Sequence, residues 1–302
     1  MEPKSEIDGL IPERYKPLTL FFQAGTAFDK IRGVIRINKL SYPLVIKPDI
    51  GMQGKAVVKV HSDSELQNTV IKFTVNFIIQ PFIPYPNEVG IFYVRYPDEQ
   101  QGKITGIVEK EFLSVTGDGI SSIEALLYRN PRFILQIPAL KKILGENLND
   151  ILQKGEQRVL VPYGNHARGS LFLDSTYKNT AQIEAVIDQA CRSIDGFYYG
   201  RLDIRFNSFD ELGKDQNWSI IELNGAGSEP THIYDPGHSL FFAWKEIIRH
   251  WRMLYEVSIQ NKRKGFPYLK FKEGLAMFKE NSTYLRKLNK ISFKKPEKND
   301  TL

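Results

Sequence analysis

Cysteine and histidine are scarce in this chain. Its 302 residues include one cysteine, Cys191, and five histidines. A single cysteine cannot form an internal disulfide, which excludes a small secreted fold held together by disulfides. Cys191 lies on the apolar side of the segment AQIEAVIDQACRSI, which favours a core position over a catalytic nucleophile. The shortage of both residue types also argues against a zinc site.

Long hydrophobic runs are missing as well. No stretch of eighteen apolar residues occurs, so no membrane span is predicted. The first residues, MEPKSEIDGLIPERY, lack the apolar segment of a signal peptide. Hydrophobic residues still make up 42% of the chain and aromatic residues 12%, which indicates a globular protein with one large or two ordinary domains. Together with the lone cysteine, these features predict a cytoplasmic protein.

The positive net charge of +6 is concentrated at one end of the chain. Residues 262–302 contain 12 Lys or Arg and 4 Asp or Glu, whereas the preceding part is close to neutral. A nucleic-acid partner is therefore not expected, because such proteins usually carry their basic patch on the folded body. Aromatic residues in the tail keep contact with RNA or a membrane surface open as an alternative to a solvated, partly helical tail.

Strand-like and helix-like segments alternate, but several neighbouring strands have the pattern of hairpins. EVGIFYVRY, for example, is followed across a PDEQ turn by GKITGIVEKEF. The expected fold class is therefore α+β with mainly antiparallel sheets, rather than one doubly wound parallel sheet. Ser62 with Glu65, and Ser121 with Glu124, have the capping-box spacing that predicts the start of a helix.

The segment 199–236 predicts a hairpin with an unusual polar face. In GRLDIRF, Arg201, Asp203 and Arg205 are two residues apart and share one face of a strand. In WSIIELN, Glu222 and Asn224 share a face in the same way. Two carboxylates and an amide on paired strands suit Mg²⁺, which prefers oxygen ligands. A polar face that is merely solvated remains the alternative.

Two earlier segments suggest contacts with a nucleotide. In LVIKPDIGMQGKAVVKV, Lys47 ends a strand, and Gly51 and Gly54 lie in the following loop, where backbone N–H groups can turn toward an anion. In FIIQPFIPYPNE, an irregular proline-rich crossing places Gln80 and Glu88 where adenine and ribose could be read. An ordinary linker between domains explains this second segment equally well.

The order VIKPDIGMQG, IIQPFIPYPNE, GRLDIRF, IIELNG resembles the ATP-grasp superfamily, in particular the D-alanine–D-alanine ligase, glutathione synthetase and cyanophycin synthetase group. The resemblance extends from about Lys4 to Tyr255. It implies two α+β subdomains that hold ATP between them, with the family's usual N-terminal domain missing or truncated. The implied boundaries are an N-terminal arm at 1–17, a small subdomain at 18–83, a large subdomain at 84–261 and a basic tail at 262–302.

The resemblance implies a role for each matched residue. Lys47, and Lys4 as the earlier lysine, correspond to the lysines on the ATP phosphates, and Gly51 to Gly54 corresponds to the flexible phosphate loop. Gln80 stands where the family usually has Glu at the adenine hinge, and Glu88 corresponds to the ribose carboxylate. Arg201 corresponds to the arginine at the transferred phosphoryl group. The implied ligands of Mg²⁺, with Mn²⁺ as an alternative, are Asp203, Glu222 and Asn224.

Three further residues are candidates for binding substrate. The loop GNHARGS carries His166 and Arg168, and an arginine there could clamp a carboxylate through two hydrogen bonds. Arg205 lies on the predicted metal face. The plainer interpretation of His166 and Arg168 is a surface loop. Arg205 could instead pair with Asp203 or Glu222, or touch phosphate.

The resemblance implies an ATP- and Mg²⁺-dependent ligase that activates a carboxylate as an acyl phosphate and joins it to an amine. The expected partners are small-molecule or peptide carboxylates and amines, and a homodimer is one expected assembly. Two alternatives stay open: a kinase or non-catalytic nucleotide-binding protein of the same superfamily, and a binder of nucleic acid or membrane surfaces that acts through the basic tail.

Overall fold

A computed structural model of the chain describes residues 3–51, 54–161, 164, 169–288 and 291. Their contacts form two compact units, one built from the described residues of 3–109 and 172–291, the other from those of 110–171. The strands are β1 (Leu20–Phe22), β2 (Leu44–Pro48), β3 (Val58–Val60), β4 (Phe77–Pro81), β5 (Asn87–Val94), β6 (Lys103–Glu111), β7 (Leu113–Thr116), β8 (Gln157–Val161), β9 (Leu171–Asp174), β10 (Tyr199–Phe206) and β11 (Trp218–Asn224). The α-helices are α1 (Lys4–Leu10), α2 (Phe28–Ile37), α3 (Asp63–Val70), α4 (Ile123–Tyr128), α5 (Pro131–Ile134), α6 (Ile137–Leu144), α7 (Ala181–Arg192), α8 (Phe209–Leu212), α9 (Leu240–Arg263) and α10 (Phe271–Leu288).

The first unit contains two sheets. A four-stranded sheet has the order β1-β4-β2-β3, and a five-stranded sheet has the order β11-β10-β5-β6-β9. Strand β4 pairs antiparallel with both β1 and β2, and β10 pairs antiparallel with both β5 and β11. This mixture of helices and antiparallel sheets confirms the α+β class expected from the hairpin patterns.

The four-stranded sheet is apolar along its central strands because β2 (LVIKP) and β4 (FIIQP) consist mostly of large apolar residues. Ile46 and Ile79 are completely buried, and Phe77 stacks on Phe22 with ring centroids 5.6 Å apart. Helix α3 begins at Ser62, whose hydroxyl accepts a hydrogen bond from the backbone N–H of Glu65. The predicted helix start at Ser62 is therefore confirmed, and the Glu65 carboxylate accepts in turn from the backbone N–H of His61 at 2.9 Å.

One face of the five-stranded sheet packs on helix α7. Ile183 and Ile187 of α7 lie in one cluster with Ile204 of β10, and all three are buried. Cys191 is completely buried in the same cluster. Burial raises the pKa of the Cys191 thiol well above its ordinary value. The thiol therefore stays protonated, which confirms a core position rather than a nucleophile.

The second unit has its own core around β7, β8 and α4 to α6. Its buried residues include Leu113, Ile123, Leu127 and Leu140. The predicted capping box at Ser121 is wrong by one residue, because the hydroxyl of Ser122 accepts the hydrogen bond from Ala125 N–H. The backbone and the hydroxyl of Ser121 donate instead to the carboxylate of Asp118 in the preceding turn.

Helix α9 follows the hairpin of β10 and β11 and is anchored by a buried polar network. The carboxylate of Glu246 lies 3.2 Å from His232 Nε2 and also pairs with Arg249. His250, completely buried, lies 3.0 Å from the Thr105 hydroxyl of β6. None of the helices described is both long and apolar enough to cross a membrane.

Candidate functional site

The acidic residues of β10 and β11 face each other across the strand pair. Asp203 is directly opposite Glu222, and Arg201 is directly opposite Asn224. Leu202 and Ile204, which alternate with them, are completely buried in the α7 core. Because side chains alternate along a strand, this burial forces the polar set onto the opposite face. The register shifts just after Asp203, so the pairing beyond it starts with Ile204 opposite Ile220.

Arg201 holds Asp203 through two hydrogen bonds. Its Nε lies 2.9 Å from Asp203 Oδ1, and its terminal nitrogen lies 3.3 Å from Oδ2. Burial opposes the positive charge of Arg201, but the Asp203 carboxylate outweighs it and raises the arginine pKa above its ordinary value. Arg201 therefore remains charged, and the paired geometry fixes the direction of the Asp203 carboxylate.

Two lysines, one from α1 and one from β2 of the four-stranded sheet, contact strand β11 beside Glu222. Lys4, the first residue of α1, forms an ion pair with Glu222 Oε1. Lys47, on β2, donates to the carbonyl oxygen of Ile221 at 3.3 Å. Burial of Glu222 would raise its carboxyl pKa, but Lys4 and then Lys47 oppose this, and the pKa lies below its ordinary value. The sequence predictions for these residues thus converge on one place.

The position of Lys4 is fixed by the loop after β2. Its backbone N–H donates to the Asp49 carbonyl at 2.7 Å, and the N–H of Ser5 donates to Asp49 Oδ1 at 2.8 Å. Asp49 is buried, so these hydrogen bonds are shielded from water. A carboxylate at the start of α1 also suits the positive end of the helix dipole. The start of α1 is therefore attached to both β2 and β11.

A small cavity lies among these residues. Its volume is about 30 Å³, and its polar lining comes from Lys4, Asp8, Lys47, Gln80 and Glu222. Its apolar lining comes from Ile7, Ile11, Ile78, Ile220 and Leu223. Sites for drug-sized ligands are usually roughly 300–1,000 Å³. The cavity is therefore much smaller than a site of that kind, and side chains of α1 form part of its wall.

Of the predicted adenine and ribose residues, Gln80 lines this cavity and Glu88 does not. Gln80 forms part of the wall and donates from Nε2 to the Thr19 hydroxyl at 2.7 Å. Glu88 is directly opposite Arg205 in the β5–β10 pair, and Arg205 Nε lies 3.3 Å from its carboxylate. Arg205 also donates to the Tyr85 carbonyl at 3.1 Å. Arg205 therefore forms an ion pair with Glu88, a partner that the sequence prediction did not name.

The predicted phosphate loop is described at its two ends. Gly54 has a φ of +64°, in the left-handed region that favours glycine. Gly51 packs closely on Pro48, because an added Cβ would lie 3.3 Å from the proline ring. Met52 and Gln53 lie outside the described residues. His166 and Arg168, the two loop candidates for substrate binding, also lie outside them.

Sequence reasoning missed Gly90, which makes room for the acidic face. Gly90 lies directly opposite Asp203 in the β5–β10 pair. A Cβ there would lie 2.9 Å from Val108 Cγ1, 3.1 Å from Asp203 Oδ1 and 3.2 Å from Arg201 Cδ. A glycine inside the otherwise apolar strand NEVGIFYV was the available signal, since such glycines often mark a close approach.

The residues present suit a divalent cation by donor type. Asp203 and Glu222 supply carboxylate oxygens on facing strands, which are the ligands that Mg²⁺ prefers. The side-chain amide nitrogen of Asn224 is buried without a hydrogen-bond partner. Because amide oxygen and nitrogen are assigned from hydrogen bonds, an amide lacking a protein partner there is free to turn its oxygen to a cation. Within the described ranges, no cluster of three or more His, Cys, Asp or Glu is placed to hold a metal ion.

Substitution of Gly90 by alanine should disturb the acidic face more than the rest of the fold. The new methyl group would press on Val108 and on the Arg201–Asp203 pair, so we expect unfolding free energy to fall by ~1–3 kcal/mol. We also expect weaker binding of Mn²⁺, measured by electron paramagnetic resonance. Gly33→Ala is the control, because nothing lies within 4 Å of its added Cβ on α2. Unchanged metal binding in Gly90→Ala would refute the role assigned to this glycine.

No protein-family profile matches the chain. In sequence, 76 residues are 34% identical to the α-aminoadipate–LysW ligase LysX of Sulfurisphaera tokodaii, covering 22% of this chain and 27% of that protein. In structure, the D-alanine–D-alanine ligase of Bacillus anthracis is similar at 14% identity and a TM-score of 0.49, over 88% of this chain and 69% of that one. A bifunctional glutathione synthetase from Pasteurella multocida is similar at 16% identity and a TM-score of 0.46, over 83% and 35%.

All three of these proteins are ligases or synthetases by name. The chain is similar to these three proteins over the stretches given above. It spans about a quarter of the length of LysX and about a third of the glutathione synthetase.

Proposed function

We propose that this chain carries the nucleotide and metal site of an ATP- and Mg²⁺-dependent carboxylate–amine ligase. The observation that carries the proposal is the facing pair Asp203 and Glu222, with Lys4 and Lys47 converging on the same strand. Carboxylates for a cation and lysines for phosphates are the parts that phosphoryl transfer requires. The names of the similar ligases support the same class of reaction.

In this proposal the protein acts by positioning and by charge. Arg201 holds the Asp203 carboxylate in place and presents a guanidinium group to the transferred phosphoryl group. Lys47 and Lys4 bind phosphate oxygens, and Lys4 leaves Glu222 to do so. Magnesium, when bound by Asp203, Glu222 and Asn224, supplies charge neutralisation at the phosphates. A carboxylate substrate becomes an acyl phosphate, and an amine displaces the phosphate to form an amide-like bond.

The remaining predicted roles belong to the same proposal. Gln80 reads adenine, Glu88 binds ribose, and the loop from Gly51 to Gly54 closes over the phosphates. His166, Arg168 and Arg205 are the candidates for the carboxylate substrate. The proposal keeps the subdomain boundaries at residues 83 and 261. It also includes a homodimer and a location in the cytoplasm, where ATP is supplied.

Thermal unfolding with and without nucleotide tests the binding part. ATP with Mg²⁺ should raise the melting temperature, because a ligand that binds only the folded state stabilises it by ~2.7 kcal/mol at a hundred times its dissociation constant. ATP without a divalent cation should stabilise less. No stabilisation by either would refute the nucleotide site.

Release of ADP over a panel of carboxylates and amines tests the reaction. A ligase should release ADP only when both a carboxylate and an amine are supplied, with an amide as the second product. ADP release with a hydroxyl acceptor alone would contradict the ligase and favour the kinase. Binding without release in the presence of all acceptors would favour a non-catalytic nucleotide-binding protein.

A further inference from the structure

Helix α9 leaves a row of large apolar side chains in contact with solvent. The row consists of Phe241, Trp244, Ile248, Trp251 and Tyr255, each between 52% and 76% exposed. Their spacing of three and four residues places them on one side of the helix. The opposite side of α9, with His250 and Val257, is buried against the five-stranded sheet. The row is therefore not part of the hydrophobic core, and its exposure to solvent requires another explanation.

The connection after α9 and the start of α10 continue this apolar surface. Phe271, Leu275 and Phe278 lie on one side of α10 and are between 53% and 81% exposed. The connection adds exposed Phe266, Tyr268 and Leu269. The far end of α10 is attached to the body, since Leu288 is buried and the Tyr284 hydroxyl accepts from Ile50 N–H at 3.4 Å. Exposed apolar patches of this kind usually mark an interaction surface.

The charges around α10 identify the kind of partner. Successive helix residues are about 100° apart, so Lys272 and Lys279 lie directly beside the row of Phe271, Leu275 and Phe278. Glu273 and Glu280 fall on the opposite side of the helix. The end of α9 adds the exposed cations Lys262 and Arg263, and the connection before α10 adds Lys264 and Lys270. On α9, Lys245 and Arg252 each follow a tryptophan of the row and are exposed.

On α10 the apolar side chains have lysines beside them and acids on the opposite side of the helix, an arrangement that suits the surface of an anionic membrane. On α9, Arg252 pairs with Glu256, and Lys245 is the exposed cation beside the row. Aromatic rings and leucines enter the boundary between headgroups and acyl chains, while lysines beside them meet lipid phosphates. Tryptophan and tyrosine favour this boundary because one end of each is polar. A second copy of the chain fits less well, since pairing two such rows would bring lysines of one copy against lysines of the other.

We propose that the α9–α10 surface, defined as residues 240–280, binds the surface of an anionic membrane. The two helices lie on the bilayer rather than crossing it. This docking is independent of the proposed ligase activity, because none of its residues lines the cavity beside Glu222.

Sedimentation with vesicles tests the proposal on the full chain. Wild-type protein should pellet with vesicles of phosphatidylcholine containing one third phosphatidylserine, and much less with phosphatidylcholine alone. Lys272→Glu/Lys279→Glu should weaken binding on the order of tenfold or more, because each basic residue near an anionic surface contributes to attraction. Lys30→Glu/Arg36→Glu makes the same charge change on exposed positions of α2 and should pellet as wild type.

Fluorescence of the wild-type chain removes any dependence on the folding of variants. Of the three tryptophans, Trp218 is buried, whereas Trp244 and Trp251 are exposed. Brominated lipids in the anionic vesicles should therefore quench part of the emission. Absence of quenching and of pelleting would overturn the proposal. Equal pelleting with neutral vesicles would also overturn it. So would a dimer, seen by light scattering, that dissociates in the variant Trp244→Ser/Trp251→Ser. Tighter binding to single-stranded RNA than to vesicles would overturn it as well.

Discussion

Replacement of Glu222 by glutamine should reduce ATP-dependent ADP release by about 10²–10³-fold, the loss seen when one electrostatic contact at a reacting centre is removed. Glutamine keeps the size of the side chain and can still accept a hydrogen bond from Lys4. It removes the negative charge that faces Asp203. That charge also interacts with the positive charges of Lys4 and Lys47. The strand pair should remain folded, because its apolar side is unchanged.

A matched variant separates the site from general effects of charge. Glu256→Gln removes a carboxylate from an ion pair with Arg252 on the exposed part of α9 and should leave ADP release unchanged. Binding of Mn²⁺ without nucleotide, measured by electron paramagnetic resonance, should be weakened in Glu222→Gln alone. If Glu222→Gln released ADP at the wild-type rate, its assignment as a metal ligand would be wrong.

The strand pair at the centre of the site was predictable from sequence because its information is local. Alternation of charged and apolar residues in GRLDIRF and WSIIELN determines which side chains share a face, and the buried Leu202 and Ile204 agree with that pattern. The register was not predictable. A slip of one residue would move every side chain to the other face, and the shift after Asp203 depends on packing that the local pattern does not contain.

Contacts between distant segments were also not predictable, because the local sequence pattern does not contain them. Lys4 and Glu222 are 218 residues apart, and hydrogen bonds to Asp49 determine where the start of α1 lies. The family resemblance assigned Lys4 to phosphate, but it carried no information that the lysine forms an ion pair with Glu222. The space left by Gly90 likewise depends on Val108 and Asp203, which belong to two other strands.

Replacement of Lys47 by methionine should abolish nucleotide binding and at the same time stabilise the fold. Burial lowers the Lys47 pKa from its ordinary value of 10.5 to about 8, although Glu222 opposes the change. The folded protein therefore bears a cost for keeping this lysine charged at neutral pH. After allowing for partial solvent contact and for the lost hydrogen bond to Ile221, we expect a gain of ~1–2 kcal/mol in unfolding free energy at pH 7.

The sign of the pH dependence distinguishes this cause from simple packing. Between the folded pKa of about 8 and the ordinary value of 10.5, the unfolded chain binds more protons at Lys47 than the folded chain does. The wild-type protein therefore regains stability from this residue as pH rises through that window, whereas Lys47→Met does not. Urea unfolding at pH 7 and pH 10 should show the advantage of Lys47→Met shrinking with pH. Lys30→Met, at an exposed position of α2, should change stability by less than ~0.5 kcal/mol at either pH.

A stability gain that accompanies complete loss of binding would show why a charged lysine is kept there. Bound phosphate brings negative charge to Lys47, which favours its protonated form and reverses the effect of burial. The energy lost in the free protein is then returned when nucleotide binds, so the lysine discriminates between anionic and neutral ligands. If Lys47→Met were less stable than wild type at pH 7 and still stabilised by ATP with Mg²⁺, both the buried charge and the phosphate role would be refuted.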